Sequence, residues 1–310
     1  MPTTDPRIAT AVLHSLEATG TDLALLQQPD ALLAHEPTGD IDIVVGVPPR
    51  VALKRAAREL EARGVRPAAL WHYDVGGTAT TFFFDTAGVA GAQVDMLYDP
   101  KGLGHYSIRS HALLESSRPG EPFPIVGPLE LSIYLFSKRY RKGQTDRVDE
   151  LKAEIDAVPD TETDDAVRRL VTSRHLAAHI TGQSLNISRI WSPLPRISRL
   201  LGRLTTPVGF WVHCPGNREG LAVALADRFG AVLVRSAASR LPAAVFATWR
   251  WYFQTVQPIR LRPGIVISWG VAPHGFRPRP DFTVEQDREI DDAARNIIEA
   301  MSSRFDKPEH

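Results

Sequence analysis

Residues 38–45 read TGDIDIVV, and the two aspartates in this stretch decide how the first third of the chain is read. The isoleucines and valines mark a β-strand, in which side chains two apart share a face. Asp40 and Asp42 therefore project together, while Ile41 and Ile43 turn toward a core. Two carboxylates held side by side repel each other unless a cation lies between them. A third acid stands in similar surroundings. In AQVDML (92–97), Asp95 shares a face with Gln93 and Leu97, and Val94 and Met96 take the other. If the two strands are neighbours, three carboxylates converge.

Such a cluster of hard oxygen ligands suits Mg²⁺. Two metals held there can stabilise the attacking and leaving oxygens of an in-line phosphoryl displacement. The competing reading makes Asp40 a turn residue after Gly39 and Asp42 a solvent-facing residue on a sheet edge. The flanking apolar residues, the glycine before the pair, the helix after it and the third acid weigh toward metal.

The elements around these strands give a mixed α/β pattern. Apolar residues recur at helical spacing from Arg7 to Ala18 (Ile8, Val12, Leu16), and Gly20 ends that helix. PRVALKRAARELEARGV (49–65) predicts a helix ending near Gly64. ALWHYDVGG (69–77), TATTFFFD (78–85) and AQVDMLYD (92–99) read as strands, with TAGVAG (86–91) as a hairpin link. A strand, helix, strand, strand order points to a mixed sheet up to about residue 105. A mainly helical stretch follows in 127–158, 164–182 and 187–204, divided by prolines at 159, 193 and 195. The alternating pattern then resumes, with strands at 208–213, 231–236 and 264–270 and helices at 220–230, 242–256 and 284–301. That alternation predicts a parallel sheet covered by helices. The expected organisation is α/β (α+β): a mixed-sheet domain over 1–115, a helical connector over 116–204 and a parallel-sheet domain over 205–310. No internal repeat or low-complexity tract interrupts it.

Composition bounds the function. The chain has 310 residues, 43% of them hydrophobic, enough for a large core. Lys+Arg and Asp+Glu are both 36, so no global field favours nucleic acid, an anionic membrane or an acidic substrate. The lone cysteine, Cys214, excludes an internal disulfide framework and fits a reducing cytoplasm. The first twenty residues lack the apolar core of a signal peptide, and no apolar run reaches the roughly 18 residues of a membrane span.

From Leu23 to Tyr98 the sequence resembles the nucleotidyltransferase superfamily that includes DNA polymerase beta and the aminoglycoside nucleotidyltransferases. GDIDIVV (39–45) matches the strand bearing the first two acids and QVDMLYD (93–99) the strand bearing the third. The resemblance implies an enzyme that attacks the α-phosphate of an NTP with an acceptor hydroxyl and releases pyrophosphate, using Mg²⁺ or Mn²⁺. It implies that Asp40 and Asp42 hold both metals, and that Asp95 holds the catalytic metal and helps deprotonate the hydroxyl. The family's small-residue pair before the first acid strand, where the triphosphate approaches closely, is absent. No glycine lies between Gly20 and Gly39, and Gln27 and Gln28 fall in that neighbourhood. Gly39 is the remaining candidate for close nucleotide approach.

SKRYRKGQTDR (137–147) supplies Lys138, Arg139, Arg141, Lys142 and Arg147. These cations either neutralise a triphosphate across the cleft or complete a solvated helix end that favours positive charge. Lys138 and Lys142 lie four apart on one face and are the two chosen for nucleotide contact.

Residues 206–310 resemble a thymidylate kinase-like domain. HCPGNREGLAVALADRFG (213–230) has the layout of a phosphate-binding loop. Its chemistry is missing, since Arg218 falls at the lysine position and Glu219 at the Ser/Thr position. Ser268 and Trp269 replace the expected Asp-Arg pair after the later strand. This half reads as a degenerate domain that packs, dimerises or binds a ligand.

Other clusters read as structural. His175 and His179 are four apart on a helix but lack a third ligand. His213 and Cys214 point to opposite faces of one strand, which excludes a Cys-His pair. Phe246, Trp249, Trp251, Tyr252 and Phe253 read as core or interface, and the arginines from Arg189 to Arg203 as a charged helix face. Two functions remain open. One is a nucleotidyltransferase acting on the hydroxyl of a small molecule, a sugar, an RNA end or a protein side chain. The other is an inactive nucleotide-binding or scaffold protein degenerate in both halves. Neither requires a membrane, nucleic acid is not the favoured partner, and the oligomeric state is open.

Overall fold

Asp5 starts the first helix. Its carboxylate accepts the Arg7 backbone N–H at 2.8 Å and caps α1 (Pro6–Ala18), whose proline sits in the first turn where no donor is lost. Ile8, Val12, Leu13 and Leu16 form the buried stripe that its spacing predicts. The computed structural model describes residues 4–27, 34, 39–72, 77–120, 122–182, 210–236, 265–270, 280–285 and 287–303.

The next elements are β1 (Leu23–Leu25), β2 (Ile41–Val45), α2 (Pro49–Ala62), β3 (Val65–His72), β4 (Ala79–Asp85) and β5 (Gly91–Leu97). The five strands form one sheet in the order β1-β2-β5-β4-β3. Only the β2–β5 pair is parallel, so the sheet is mixed. The β4–β5 hairpin forms as expected. β1 was not expected: three apolar residues are too short to show a period, and its pairing with β2 defines it. β3 begins four residues earlier than its sequence pattern suggests. Its register slips between Pro67 and Ala69, which accommodates a proline on an edge strand.

Each face of this sheet has its own core. Ile41, Ile43, Val45, Val94 and Met96 pack with α1 and α2. Val44 and Leu97 point the other way, into a core built with α3 (Ser110–Glu115), α4 (Pro128–Lys142), α6 (Asp160–Leu170) and α7 (Arg174–Ile180). α5 (Thr145–Asp156) follows α4 and contributes Ile155. The middle helices therefore cover the face that carries the acids. Among the described residues no helix is long and apolar enough to cross a membrane.

The last third contains β6 (Phe210–Pro215), α8 (Glu219–Phe229), β7 (Val232–Ser236), β8 (Ile265–Gly270), β9 (Phe282–Thr283) and α9 (Ile290–Ser302). Its strands pair in parallel in the order β7-β8-β6-β9. Two-residue β9 was not expected. The proposed helix over 242–256 with its aromatic stripe, the stretch 187–204 with its arginines, and Gln28 lie outside the described residues.

The two sheets meet through α8 and α9. Ala68 and Phe84 of the first sheet join the core of the second, and Phe84 meets Phe229 edge-on at a centroid separation of 5.3 Å. Arg228 donates to the Gly88 carbonyl at 2.9 Å and the Ala87 carbonyl at 3.0 Å. Gly88 has φ +68, and a Cβ there would stand 2.7 Å from Cδ1 of Ile298. Gly88→Ala therefore combines left-handed strain with a clash in packed apolar contact. It is expected to destabilise the protein by about 1–3 kcal/mol in chemical denaturation, and a change under about 0.5 kcal/mol means the interface yields freely.

Candidate functional site

Parallel pairing sets the site. β2 and β5 align Ile41 with Val94, Asp42 with Asp95 and Ile43 with Met96. Because both strands bury their odd or even partners in the same core, the two aspartates are forced onto the opposite face. Asp40 precedes β2 and is exposed, whereas Asp42 and Asp95 are half-buried. Each of the three offers one carboxylate oxygen such that all lie within 4.8 Å of one another. A divalent ion with oxygen ligands at about 2.0–2.6 Å can be reached from such a set. The expected convergence is present, and the chemistry of the donors fits Mg²⁺ or Mn²⁺. Gly39, directly before Asp40 in the chain, is exposed, and a Cβ there would meet nothing within 4 Å among the described residues.

Asp95 is held from two sides. Its Oδ1 accepts the Thr80 hydroxyl at 2.8 Å and the Gln93 side-chain amide at 3.1 Å. Thr80 lies opposite Asp95 in the hairpin register. Burial, and then repulsion from Asp42 and Asp40, pushes the Asp95 carboxyl up to about 7, against the lowering pull of the Thr80 bond. Asp42 is also raised, first by burial, with Lys138 opposing and Asp40 adding to the rise.

Helix α4 brings a cation onto this face. The Lys138 ammonium donates to both oxygens of Asp42, at 2.7 Å to Oδ1 and 2.6 Å to Oδ2, with side-chain exposures of 8% and 14% for the lysine and aspartate. Burial works against the lysine's charge, yet Tyr134, Asp42 and Asp95 hold it above the usual lysine range. Lys138 Nζ also lies 5.9 Å from the Tyr134 ring centroid. Removing either partner of a buried pair leaves an uncompensated charge that costs on the order of 3–5 kcal/mol. Ser137 fixes the helix by donating to the Tyr106 carbonyl at 2.5 Å. Gly143, at φ 71, caps it directly after Lys142.

The basic cluster does not act as one patch. Arg139 donates to Gln144 Oε1 at 2.7 Å and Arg141 to the Ser107 hydroxyl at 3.1 Å. Arg147 is exposed on α5. Lys142, on the last turn of α4, is held below the usual lysine range, first by partial burial and then by repulsion from Lys138, with Asp42 and Asp40 pulling the other way. Gln27 stands where the sequence located it, its Oε1 accepting the Asp42 N–H at 3.4 Å. Thr80, Gln93 and Tyr134 were not singled out as site residues. The hairpin signal could have found Thr80, and the i, i−4 spacing from Lys138 could have found Tyr134.

In the second sheet the loop after β6 carries Gly216 at φ 77, but the arginine beside it is engaged. Arg218 donates to the Glu285 and Arg288 carbonyls, both at 2.7 Å. Ser268 is buried, accepting the Trp211 indole N–H at 2.8 Å and lying 2.9 Å from His213 Nδ1. Cys214 is buried, and burial raises its thiol to about 11, which suppresses the reactive thiolate. His175 and His179 lie tilted against the Tyr140 ring and edge-on to each other, and no third ligand joins them among the described residues.

The Asp95 shift sets a pH dependence. Its folded pKa of about 7 lies above the ordinary 3.8, so between those values the folded chain holds a proton that the unfolded chain has released. Stability contributed by that proton is present at low pH and is lost as pH rises toward 7. The metal-free protein should lose more thermal stability from about pH 5 to about pH 8 than the Asp95→Asn variant, measured as Tm by scanning calorimetry. Parallel Tm profiles would refute a raised Asp95 carboxyl in the folded protein. Compared with known proteins, the chain matches no protein-family model and no curated protein.

Proposed function

We propose that the protein is a metal-dependent nucleotidyltransferase that moves an NMP from an NTP to an acceptor hydroxyl and releases pyrophosphate. The observation that carries this reading is that one carboxylate oxygen from each of Asp40, Asp42 and Asp95 lies within 4.8 Å of the others, Asp42 and Asp95 being paired across two parallel strands and Asp40 standing just before the first. A carboxylate cluster of this kind is costly unless a cation uses it, since burial and mutual repulsion both act against ionisation. The bond formed joins the acceptor oxygen to the α-phosphorus. The bond broken is the one from that phosphorus to the bridging oxygen of the departing pyrophosphate.

Asp40, Asp42 and Asp95 would hold Mg²⁺ or Mn²⁺, which supplies charge neutralisation at the phosphate oxygens. Asp95, oriented by Thr80 and Gln93, takes the hydroxyl proton. Lys142 lies at the exposed end of α4, where a triphosphate can meet it. Gly39 is exposed directly before Asp40, and a Cβ there would meet nothing within 4 Å among the described residues. The acceptor is a hydroxyl of a small molecule, a sugar, an RNA end or a protein side chain, and the proposed setting is the cytoplasm, where the lone cysteine stays reduced.

A second reading, an inactive binding or scaffold protein, draws on one specific observation. Arg218, which would have to replace the phosphate-binding lysine, is spent on two backbone carbonyls. We assign that feature to the last third alone, as a degenerate kinase-like unit that packs against the first sheet.

The deciding measurement is transfer from α-labelled NTPs into a mixed acceptor pool with Mg²⁺ or Mn²⁺. Asp42→Ala should lower pyrophosphate release by at least about 100-fold, the scale on which one electrostatic stabiliser acts. No release from the wild type with any of the four NTPs and either metal favours the scaffold.

A further inference from the structure

One cation of the acidic cluster belongs to the protein itself. Lys138 Nζ bridges both oxygens of Asp42, at 2.7 and 2.6 Å, from a side chain only 8% exposed. That two-oxygen grip occupies the position from which a divalent ion would hold Asp42 in a bidentate manner, and the two cations cannot share it. The lysine is also supported from behind. Tyr134 lies one turn earlier on α4, 5.9 Å from the ammonium. Ser137 anchors the same turn to the Tyr106 carbonyl.

The other two acids converge on Asp42 without bonding to the lysine among the described residues. Asp40 is exposed, and among the described residues Asp95 is hydrogen-bonded through Oδ1 alone, by Thr80 and Gln93. Each carboxylate oxygen has two lone-pair directions, so Asp42 keeps outward ones beside the lysine. Formal charge points the same way. Three ionised carboxylates, one ammonium and one divalent ion sum to zero, whereas a second divalent ion leaves a net positive centre in a half-buried site.

We propose that Lys138 is the built-in second cation of this centre, so the protein loads a single divalent ion on Asp40, Asp95 and the outward lone pairs of Asp42. This rests on reading the three acids as a metal centre. It departs from the two-ion expectation carried by the resemblance, and it makes Lys138 a positioning residue that keeps Asp42 in register, leaving Lys142 for phosphate.

The test is Mn²⁺ titration of the nucleotide-free protein followed by electron paramagnetic resonance of the free ion. Counts are taken relative to an Asp40→Asn/Asp95→Asn chain, so that surface binding cancels. The expected result is one Mn²⁺ per wild-type chain and two per Lys138→Met chain, the second filling the position the ammonium leaves. Two ions, or none, on the wild type overturns the proposal, and this count needs no variant at position 138 to fold. One ion on a folded Lys138→Met chain, checked by circular dichroism, also overturns it. Nucleotidyl transfer is measured separately. Transfer with a two-ion wild type sinks only the lysine assignment, and a one-ion wild type without transfer sinks only the reaction.

Discussion

The parallel pairing of β2 with β5 is the constraint on which the rest depends. It aligns Asp42 with Asp95 while Ile41, Ile43, Val94 and Met96 fill the core beneath. Because side chains alternate strictly, the apolar residues cannot be buried without presenting the acids together on the other face. A slip of one residue in either strand would turn that strand's aspartate against α1 and α2, which makes the slipped register costly. The acid cluster is thus a consequence of core packing as much as of any ligand.

The same strands divide their second face into two zones. Val44 and Leu97, two residues beyond the acids, enter the core formed with α4. The acids therefore sit at the margin of that core, where water is partly excluded and charge is expensive. Burial raises Asp42 and Asp95, and Lys138 answers it with a donor to each oxygen of Asp42. Helix α4 is tied to the sheet by apolar packing at one end and by an ion pair at the other. The two ends reinforce each other, because packing fixes where the ammonium can reach.

The last third is built by different rules. Its parallel strands and helices bury a core that takes Ala68 and Phe84 from the first sheet. Polar residues at its loop and strand ends bond internally, Arg218 to two carbonyls and Ser268 to Trp211 and His213, although His213 Nε2 is buried without a partner among the described residues. Arg218 thereby ties the start of α8 to the segment between β9 and α9. Such internal satisfaction lowers the cost of burial and leaves less to offer a ligand.

Local pattern alone determined a good deal. The alternation in TGDIDIVV and AQVDML specified which side chains share a face, and the loop at 213–219 displayed Arg218 and Glu219 where the resemblance expects a lysine and a hydroxyl. Helical spacing put Lys138 and Lys142 on one side of α4. Long-range partners were decided by the tertiary structure. β1 and β9 are too short to carry a period and exist through their neighbours. Lys138 reaches Asp42 across 96 positions of chain, a contact that depends on how α4 crosses the sheet. Thr80 meets Asp95 only through the hairpin register. The period of a strand or helix is fixed by local backbone geometry, so sequence displays it. The pairing of distant elements is fixed by which packing buries the most apolar surface at once, and no single segment contains that information.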